Sequence, residues 1–315
     1  MTESVQTWLD ERTSTSGDWP LEMLLEAKNA SVAVILPALN EAQTVGQIVS
    51  TIHDELLGSL VDELVVLDSR STDATAAIAA ANGARVVALD EVFPGLKPQR
   101  GKGEAMWRGL AATDADLVLF IDADLRSFSA AYVCGLLGPL LADPTVALVK
   151  AVYERPLVQG EQAIPAGGGR VTELVARPLL NLYWPQLAGV IQPLAGEYAA
   201  RRSLLERLPF PVGYGVEFAM LVDTAELLGV YAIAQVDLGV RLHRHHDERK
   251  LGLMSAQILQ AALRRLDPQL YSARDSGQAL AQFDRVGSDF VGTWHPVVDM
   301  ERPPLASAPV ARWVL

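Results

Sequence analysis

Leu117-Val118-Leu119-Phe120-Ile121-Asp122-Ala123-Asp124-Leu125 is the stretch from which the rest of the chain can be read. Five apolar residues, two of them β-branched, read as a buried strand. Two carboxylates separated by one residue then end it. A bare carboxylate is costly to bury, so acids closing such a strand sit where something cationic meets them. Asp-x-Asp can offer oxygens to Mg²⁺ or Mn²⁺, and those ions can in turn hold a diphosphate. Taken alone, the pair fits a solvated turn equally well, and its surroundings have to decide.

Upstream, residues 31–36 form a first apolar strand that stops at Pro37, which cannot continue a central ladder. Pro37-Ala38-Leu39-Asn40-Glu41 is the loop at its end, followed by a helical pattern over 42–57. A second strand over 61–67 runs into Asp68-Ser69-Arg70-Ser71-Thr72-Asp73. An Ala-rich helix over 74–81 comes next, with Asn82-Gly83 as its C-cap. Strand 85–89, loop 90–103 and helix 104–111 lead back to the strand that ends at Asp122. Short apolar strands alternating with helices predict an α/β fold, a mostly parallel central sheet flanked by helices. Ligands of such sheets sit past the carboxyl ends of the strands, so loops 37–41, 68–73 and 122–124 converge on one edge.

Downstream, the pattern predicts a helix over 129–141 and a strand over 146–153. Residues 156–169 are rich in Gly, Pro and Gln and read as a mobile loop. Gly167-Gly168-Gly169-Arg170-Val171-Thr172 then opens a helix, and backbone N–H groups at its positive end suit a phosphate. The bland alternative is a hinge beside a surface arginine. Next come an extended segment over 190–198, a helix over 201–208, a rigid turn over 209–215 and a helix starting near Glu217. Strand 231–242 runs into His243-Arg244-His245-His246-Asp247, where three imidazoles at a strand end raise a metal or phosphate site; His246 reads as a solvated turn residue. Helix 250–266, a helical piece over 277–284 and a Pro- and Ser-rich tail complete the chain. The expected organisation is a flexible arm over 1–18, a nucleotide-binding α/β region over 19–153, an acceptor-binding region of the same domain over 154–250, and a C-terminal helix and tail over 251–315.

Composition narrows the partners. The 315 residues are 50% hydrophobic, enough for one large domain, and carry a net charge of −12 without a long basic run. No nucleic acid is expected as a partner. The opening residues are polar and acidic rather than basic then apolar, and no apolar run reaches membrane-spanning length, so a cytoplasmic protein with no stable membrane association is expected. The lone Cys134 reads as core filler. Trp107 and Trp184 read as core, while Trp8 and Trp294 read as seals of the tail or of a contact between copies.

The order Pro-Ala-Leu-Asn-Glu, Asp-Ser-x-Ser-Thr-Asp, Gly-Lys-Gly-Glu and Asp-Ala-Asp resembles the family 2-like glycosyltransferases of the nucleotide-diphospho-sugar fold called GT-A. Gly-Gly-Gly-Arg-Val-Thr-Glu-Leu, Pro-Leu-Ala-Gly-Glu-Tyr, Gly-Tyr-Gly-Val-Glu and Leu-Gly-Val-Arg-Leu-His are similar more narrowly to the retaining actinobacterial glucosyl-3-phosphoglycerate synthases. The likeness spans roughly residues 19–265. It implies a nucleoside-diphosphate-sugar donor, a 3-phosphoglycerate acceptor, Mg²⁺ or Mn²⁺ as cofactor, and a homodimer. Residue by residue it implies that Pro37, Ala38, Leu39, Glu41 and Ser69 line the nucleotide pocket. Lys102 faces the nucleotide or diphosphate, and Asp122, with Ala123 beside it, the ribose region. Asp124 and His243 ligate the metal. Gly169, Arg170 and Thr172 hold the acceptor, Tyr214 and Glu217 contact the sugar, and Leu194 to Gly196 supply backbone near the reacting centre.

Two positions leave the family pattern. Arg70 stands where the family commonly has glycine: it is strained if the backbone needs positive φ, and otherwise adds positive charge at the nucleotide edge. His245 stands where the family has an asparagine associated with the acceptor, and an imidazole can replace it as a donor. The reaction expected is glucose transfer, UDP-glucose favoured, with front-side attack and no separate general base. The rivals are a mannosyl-3-phosphoglycerate synthase using GDP-mannose and a polyprenyl-phosphate glycosyltransferase, the latter wanting an apolar groove for its lipid.

Overall fold

The computed structural model describes residues 3–154, 157–159, 162–164, 169–240, 248–272 and 279–309. Its strands are β1 (Thr13–Thr15), β2 (Val32–Ala38), β3 (Glu63–Asp68), β4 (Arg85–Ala88), β5 (Leu117–Phe120), β6 (Leu148–Glu154), β7 (Leu157–Gln159), β8 (Gln162–Ile164), β9 (Tyr198–Arg201), β10 (Phe210–Pro211), β11 (Ile233–Val240), β12 (Ala279–Val286), β13 (Asp289–Pro296) and β14 (Glu301–Arg302). Eight form one sheet in the order β1-β11-β6-β9-β5-β2-β3-β4. All pairs are parallel except those of β9, which runs antiparallel between β5 and β6. The mostly parallel α/β sheet expected from the apolar runs is therefore present.

The central strands are apolar on both faces because helices cover both. One face packs under helices Leu21–Ala27, Val45–Glu55, Thr75–Ala81 and Ala131–Ala142; the other packs under Lys102–Ala111, Arg177–Tyr183 and Val216–Leu228. Cys134, Trp107 and Trp184 are buried among them, as their apolar contexts imply.

The reversed direction of β9 shapes the polar edge of the sheet. Phe120 pairs with Tyr198, and Tyr198 with Lys150, so the start of β9 lies at the same edge as the ends of β2, β3 and β5. The segment just before Tyr198 is thereby delivered to the edge where Asp122 and Asp124 emerge.

Both ends of the chain depart from what their sequence patterns predict. Residues 3–18 are no loose arm: Glu3–Arg12 is a helix and β1 extends the sheet beside β11. Trp8 is 1% exposed and its indole N–H donates to the Val230 carbonyl at 3.0 Å. The helix hides its apolar residues singly, as Val5 and Trp8, which is too sparse a stripe to show as amphipathic. At the other end, the helix expected over 277–284 is strand β12, paired along its whole length with β13. Past this hairpin, β14 pairs with β10, and Arg302 is buried against Glu104 at 2.6 Å. Trp294, in the hairpin, is 62% exposed.

Trp8→Ala is expected to lower stability by about 3–5 kcal/mol, the usual cost of emptying a buried indole site. Urea unfolding measures this, and an unchanged midpoint would mean that the first helix is not part of the folded body.

Candidate active site

Loops after β2 and β3 are bound to each other before any ligand enters. The Glu41 amide donates to the Thr75 hydroxyl at 2.8 Å, and the Thr72 amide donates to Asn40 Oδ1 at 2.8 Å. Asp73 accepts from the Thr75 hydroxyl, which holds its carboxyl below the usual range. The Ser69 amide donates to the Ala38 carbonyl at 2.9 Å. Pro37, Ala38, Leu39, Glu41 and Ser69 thus lie together on one edge, with Leu39 43% exposed and Ala38 buried. Thr44 reaches across to the next loop, donating its hydroxyl to the Ala123 carbonyl at 2.6 Å and fixing the turn between Asp122 and Asp124.

Asn40 and Arg70 are the two non-glycine residues with positive φ among those described, at 59° and 68°. Asparagine tolerates this; arginine costs about 1–2 kcal/mol there. The family glycine at position 70 is accordingly explained by backbone geometry. The arginine that replaces it points its guanidinium at Asp90, with contacts of 2.8 and 2.5 Å. Both side chains are about half exposed, so solvent screens the pair and it contributes little to stability. It offsets part of the strain, and its positive charge is already engaged.

Lys102 is the centre of the site. Its ammonium lies 2.6 Å from Asp122 Oδ1 and 2.9 Å from Glu217 Oε1. Burial alone would lower its proton affinity, but the two carboxylates outweigh burial and hold the ammonium well above the ordinary lysine value. A raised folded value means that its stabilising contribution is complete below the ordinary lysine range and disappears only above it.

The Gly-Lys-Gly-Glu segment owes its glycines to close approach. A Cβ on Gly103 would fall 1.8 Å from the Pro211 carbonyl oxygen, and one on Gly101, at φ 148°, 2.2 Å from that of Val212. Helix Lys102–Ala111 thus begins directly against the 211–215 turn that carries Tyr214. Gln257 pins this turn from the far side, accepting from the Tyr214 amide at 2.8 Å. Glu104, fully buried, pairs with both Arg108 and Arg302 and anchors the same helix to the end of the chain.

Glu217 opens helix Val216–Leu228 and is 5% exposed. That helix is clamped to Glu248–Leu266 by Arg265, which grips Asp223 with two 2.6 Å contacts and reaches Glu301 at 2.9 Å. Gly196 lies on the other side of Lys102: a Cβ there would come within 2.3 Å of Asp122 Oδ2 and 2.4 Å of Lys102 Nζ. Gly196 is therefore at the ion pair, where any side chain would displace the Lys102 ammonium or the Asp122 carboxylate, and Leu194 lies two residues before it.

Asp124 is half-buried two residues beyond Asp122. Gly169, at φ 83°, precedes Arg170, which is exposed, and Thr172, which is buried at the start of a π-helical turn over Thr172–Ala176. Such turns recur where a helix is shaped for a site. His243 and His245 lie outside the described residues; β11, from which they continue, ends at the same edge as β6, Val240 opposite Glu154. Among the described residues no group of three His, Cys, Asp or Glu side chains is placed to hold a metal ion. The carboxylate of Asp124 is the kind of hard oxygen donor that Mg²⁺ or Mn²⁺ takes, and the neighbouring Asp122 is already neutralised by Lys102.

Sequence reasoning missed the pairing of Lys102 with both Asp122 and Glu217, the Thr44 tie, and Lys150. The last, buried at 1% exposure, donates to the Ala195 carbonyl at 2.5 Å. A lysine inside an otherwise apolar strand is the signal that could have found it.

This edge, with its crossed loops, acidic strand end and lysine, is that of a sugar-nucleotide transferase. The model of glycosyl transferase family 2 matches residues 33–205, which makes the chain a glycosyltransferase of that family. A glucosyl-3-phosphoglycerate synthase of Mycolicibacterium smegmatis is 48% identical over 301 residues, 95% of this chain and 97% of its own. The crystal structure of the Mycobacterium tuberculosis glucosyl-3-phosphoglycerate synthase with Mn²⁺, UDP-glucose and phosphoglyceric acid is 46% identical and superposes with a TM-score of 0.81, over 91% of this chain and 95% of that one. The same enzyme with Mg²⁺ and UDP is 45% identical with a TM-score of 0.83, over 94% and 98%. The chain belongs to the glucosyl-3-phosphoglycerate synthase family.

Gly196→Ala is expected to push Lys102 and Asp122 apart. Calorimetry with UDP and Mg²⁺ should then show affinity at least tenfold weaker, about 1.4 kcal/mol, with the melting temperature within a few degrees of the parent. Unchanged affinity would separate this ion pair from nucleotide binding.

Proposed function

We propose that the chain transfers glucose from UDP-glucose to the 2-hydroxyl of 3-phospho-D-glycerate with retention of configuration, giving glucosyl-3-phosphoglycerate and UDP. The observation that carries this reading is the Lys102 ammonium held between Asp122 and Glu217 at the strand edge, in a chain close to half identical to an enzyme crystallised with UDP-glucose and phosphoglyceric acid. Both substrates are anionic while the chain is at −12, so the site must reverse the global sign locally.

In this reading Pro37, Ala38, Leu39, Glu41 and Ser69 receive the nucleotide and Asp122 the ribose. Lys102 faces the diphosphate, and Tyr214 and Glu217 bind the sugar. Gly169, Arg170 and Thr172 take the acceptor, with His245 in the role of the family asparagine. Asp124 and His243 would hold Mg²⁺ or Mn²⁺, which when bound supplies charge to the leaving diphosphate. In the transfer itself the C1–oxygen bond to the diphosphate breaks, a bond from C1 to the acceptor oxygen forms on the same face, and the acceptor proton passes to the departing diphosphate oxygen. UDP and product carry all atoms away, and no side chain is consumed. Lys102 stabilises the growing negative charge, an effect strongest once water is excluded.

Purified protein with Mg²⁺ and 3-phosphoglycerate, offered UDP-glucose, GDP-glucose and GDP-mannose separately, should release UDP fastest and form an α-linked glucoside by NMR. Asp124→Ala should reduce turnover by at least a thousandfold with the fold intact. Transfer of mannose alone would overturn the donor assignment, and no transfer to 3-phosphoglycerate the acceptor.

The homodimer and the cytoplasmic setting belong to the same proposal. Among the described residues no helix is long and apolar enough to cross a membrane. Support for pairing comes from the β12–β13 hairpin. Its one face rests on helix Glu248–Leu266, through Gln282 to the Arg249 carbonyl. Its other face turns Phe283, Phe290 and Trp294, each more than 60% exposed, outward. Light scattering should give the mass of two chains, and Phe290→Asp with Trp294→Asp that of one; a monomeric parent would overturn the dimer.

A further inference from the structure

Lys150 is the one fully buried lysine among the described residues, and the proposed transfer does not use it. It sits in the sheet interior on β6, between Tyr198 of β9 and Gln235 of β11. Its ammonium has three hydrogens to place. One goes to the Ala195 carbonyl at 2.5 Å, and the charge lies 4.8 Å from the centre of the Tyr198 ring. Ala195 belongs to the segment that turns into antiparallel β9. The next residue, Gly196, lies so close to the Lys102–Asp122 pair that a Cβ there would displace it. Lys102 in turn holds Glu217. A continuous line of contacts therefore runs from Lys150, through one peptide, to the ion pair at the candidate donor site.

We propose that Lys150 is a positioning residue for glucosyl transfer: by gripping the Ala195 carbonyl it fixes the height of the Leu194–Gly196 backbone, and with it the placement of the Lys102–Asp122 pair. The inference rests on the assignment of the chain as a glucosyltransferase. Its physical basis is cost. A buried ammonium is expensive, and a well-packed apolar side chain at the same place would serve stability as well or better. What an apolar side chain cannot do is hold a carbonyl in a stretch with no sheet partner of its own. Small misplacements of groups around a reacting centre are expensive in rate.

The groups that set the charge on Lys150 come from every side. Glu217 opens helix Val216–Leu228, Asp122 lies just beyond β5, Glu197 precedes β9, and Lys102 starts helix Lys102–Ala111. Burial brings its proton affinity down to about 8, with Lys102 adding to the fall and the three carboxylates opposing it. The grip on Ala195 is accordingly strongest below that pH and weakens to a neutral amine's bond as pH rises through it.

Lys150→Met keeps an unbranched side chain of similar length and removes every donor. In the UDP-glucose and 3-phosphoglycerate assay, with the parent enzyme measured first, the variant should lose at least thirtyfold in kcat and raise the UDP-glucose KM at least threefold. The parent should lose activity as pH rises through about 8, and the variant should not show that limb. A structural residue would instead lower the melting temperature and leave kcat per folded molecule, KM and pH profile unchanged; that result overturns the proposal. An inactive parent would sink the glucosyltransferase assignment itself. Independently of turnover and of any variant's folding, the chain contains only five lysines, at 28, 97, 102, 150 and 250. With ¹³C-labelled lysine, the Lys150 resonance should titrate near 8 in the parent and shift on addition of UDP with Mg²⁺. A resonance indifferent to UDP would equally overturn the coupling between Lys150 and the site.

Discussion

One ammonium lies between two carboxylates at the edge of a sheet, in a chain with twelve more negative than positive charges. Much of the architecture can be understood as the means of keeping it there. Lys102 sits on the first turn of a helix that starts hard against another backbone, which is why residues on either side of it are glycines. Asp122 comes from the end of a central parallel strand, and Glu217 from the first turn of a helix clamped by Arg265. Each carboxylate would be costly at its depth without the lysine, and the lysine without them. The arrangement also offsets negative charge at this edge, leaving it less repulsive to an anion than the overall −12 implies.

The fold was readable where periodicity and burial agree. Strands buried on both faces appear as continuous apolar runs, and their polar ends mark one edge of a parallel sheet. Antiparallel β9 was harder: its residues, Tyr198 to Arg201, mix an aromatic, two alanines and an arginine, and the apolar stretch before it reads as the strand instead. The chain ends were misread for a related reason. Trp8 and Arg302 contribute to the core as single long side chains reaching inward from otherwise polar segments, and no period-based signal reports one residue. The hairpin at residues 279–296 has apolar residues on the face away from the helix it rests on, so its pattern does not separate inside from outside.

For the candidate site, motif residues were legible and their partners were not. Asp122, Lys102 and Glu217 were each visible, but their sequence separations carry no distance information, and only the fold brings both carboxylates within 3 Å of the Lys102 ammonium. Small hydroxyls such as Thr44 and Thr75 act through one or two short hydrogen bonds to neighbouring loops, a role any surface threonine could also fill in principle. Gly196 was noticed as part of a motif, yet the reason for its lack of a side chain, the ion pair beside it, is purely three-dimensional.

Position 70 shows how a departure from a family pattern can be read physically. Glycine is expected there because φ is positive, and arginine accepts the same conformation at a cost of about 1–2 kcal/mol. The loop nevertheless keeps its shape, because its neighbours over-determine it: Ser71 is tied to Asp68 and to Asn40, and Thr72 to Asn40. Arg70 directs its charge to Asp90, in the short helix Leu89–Val92 beyond β4, rather than to the open edge. It therefore ties the loop after β3 to the short helix that follows β4. Strain at a site is tolerated when surrounding hydrogen bonds leave the backbone no alternative, and here those bonds are contributed by the loops after β2 and β3.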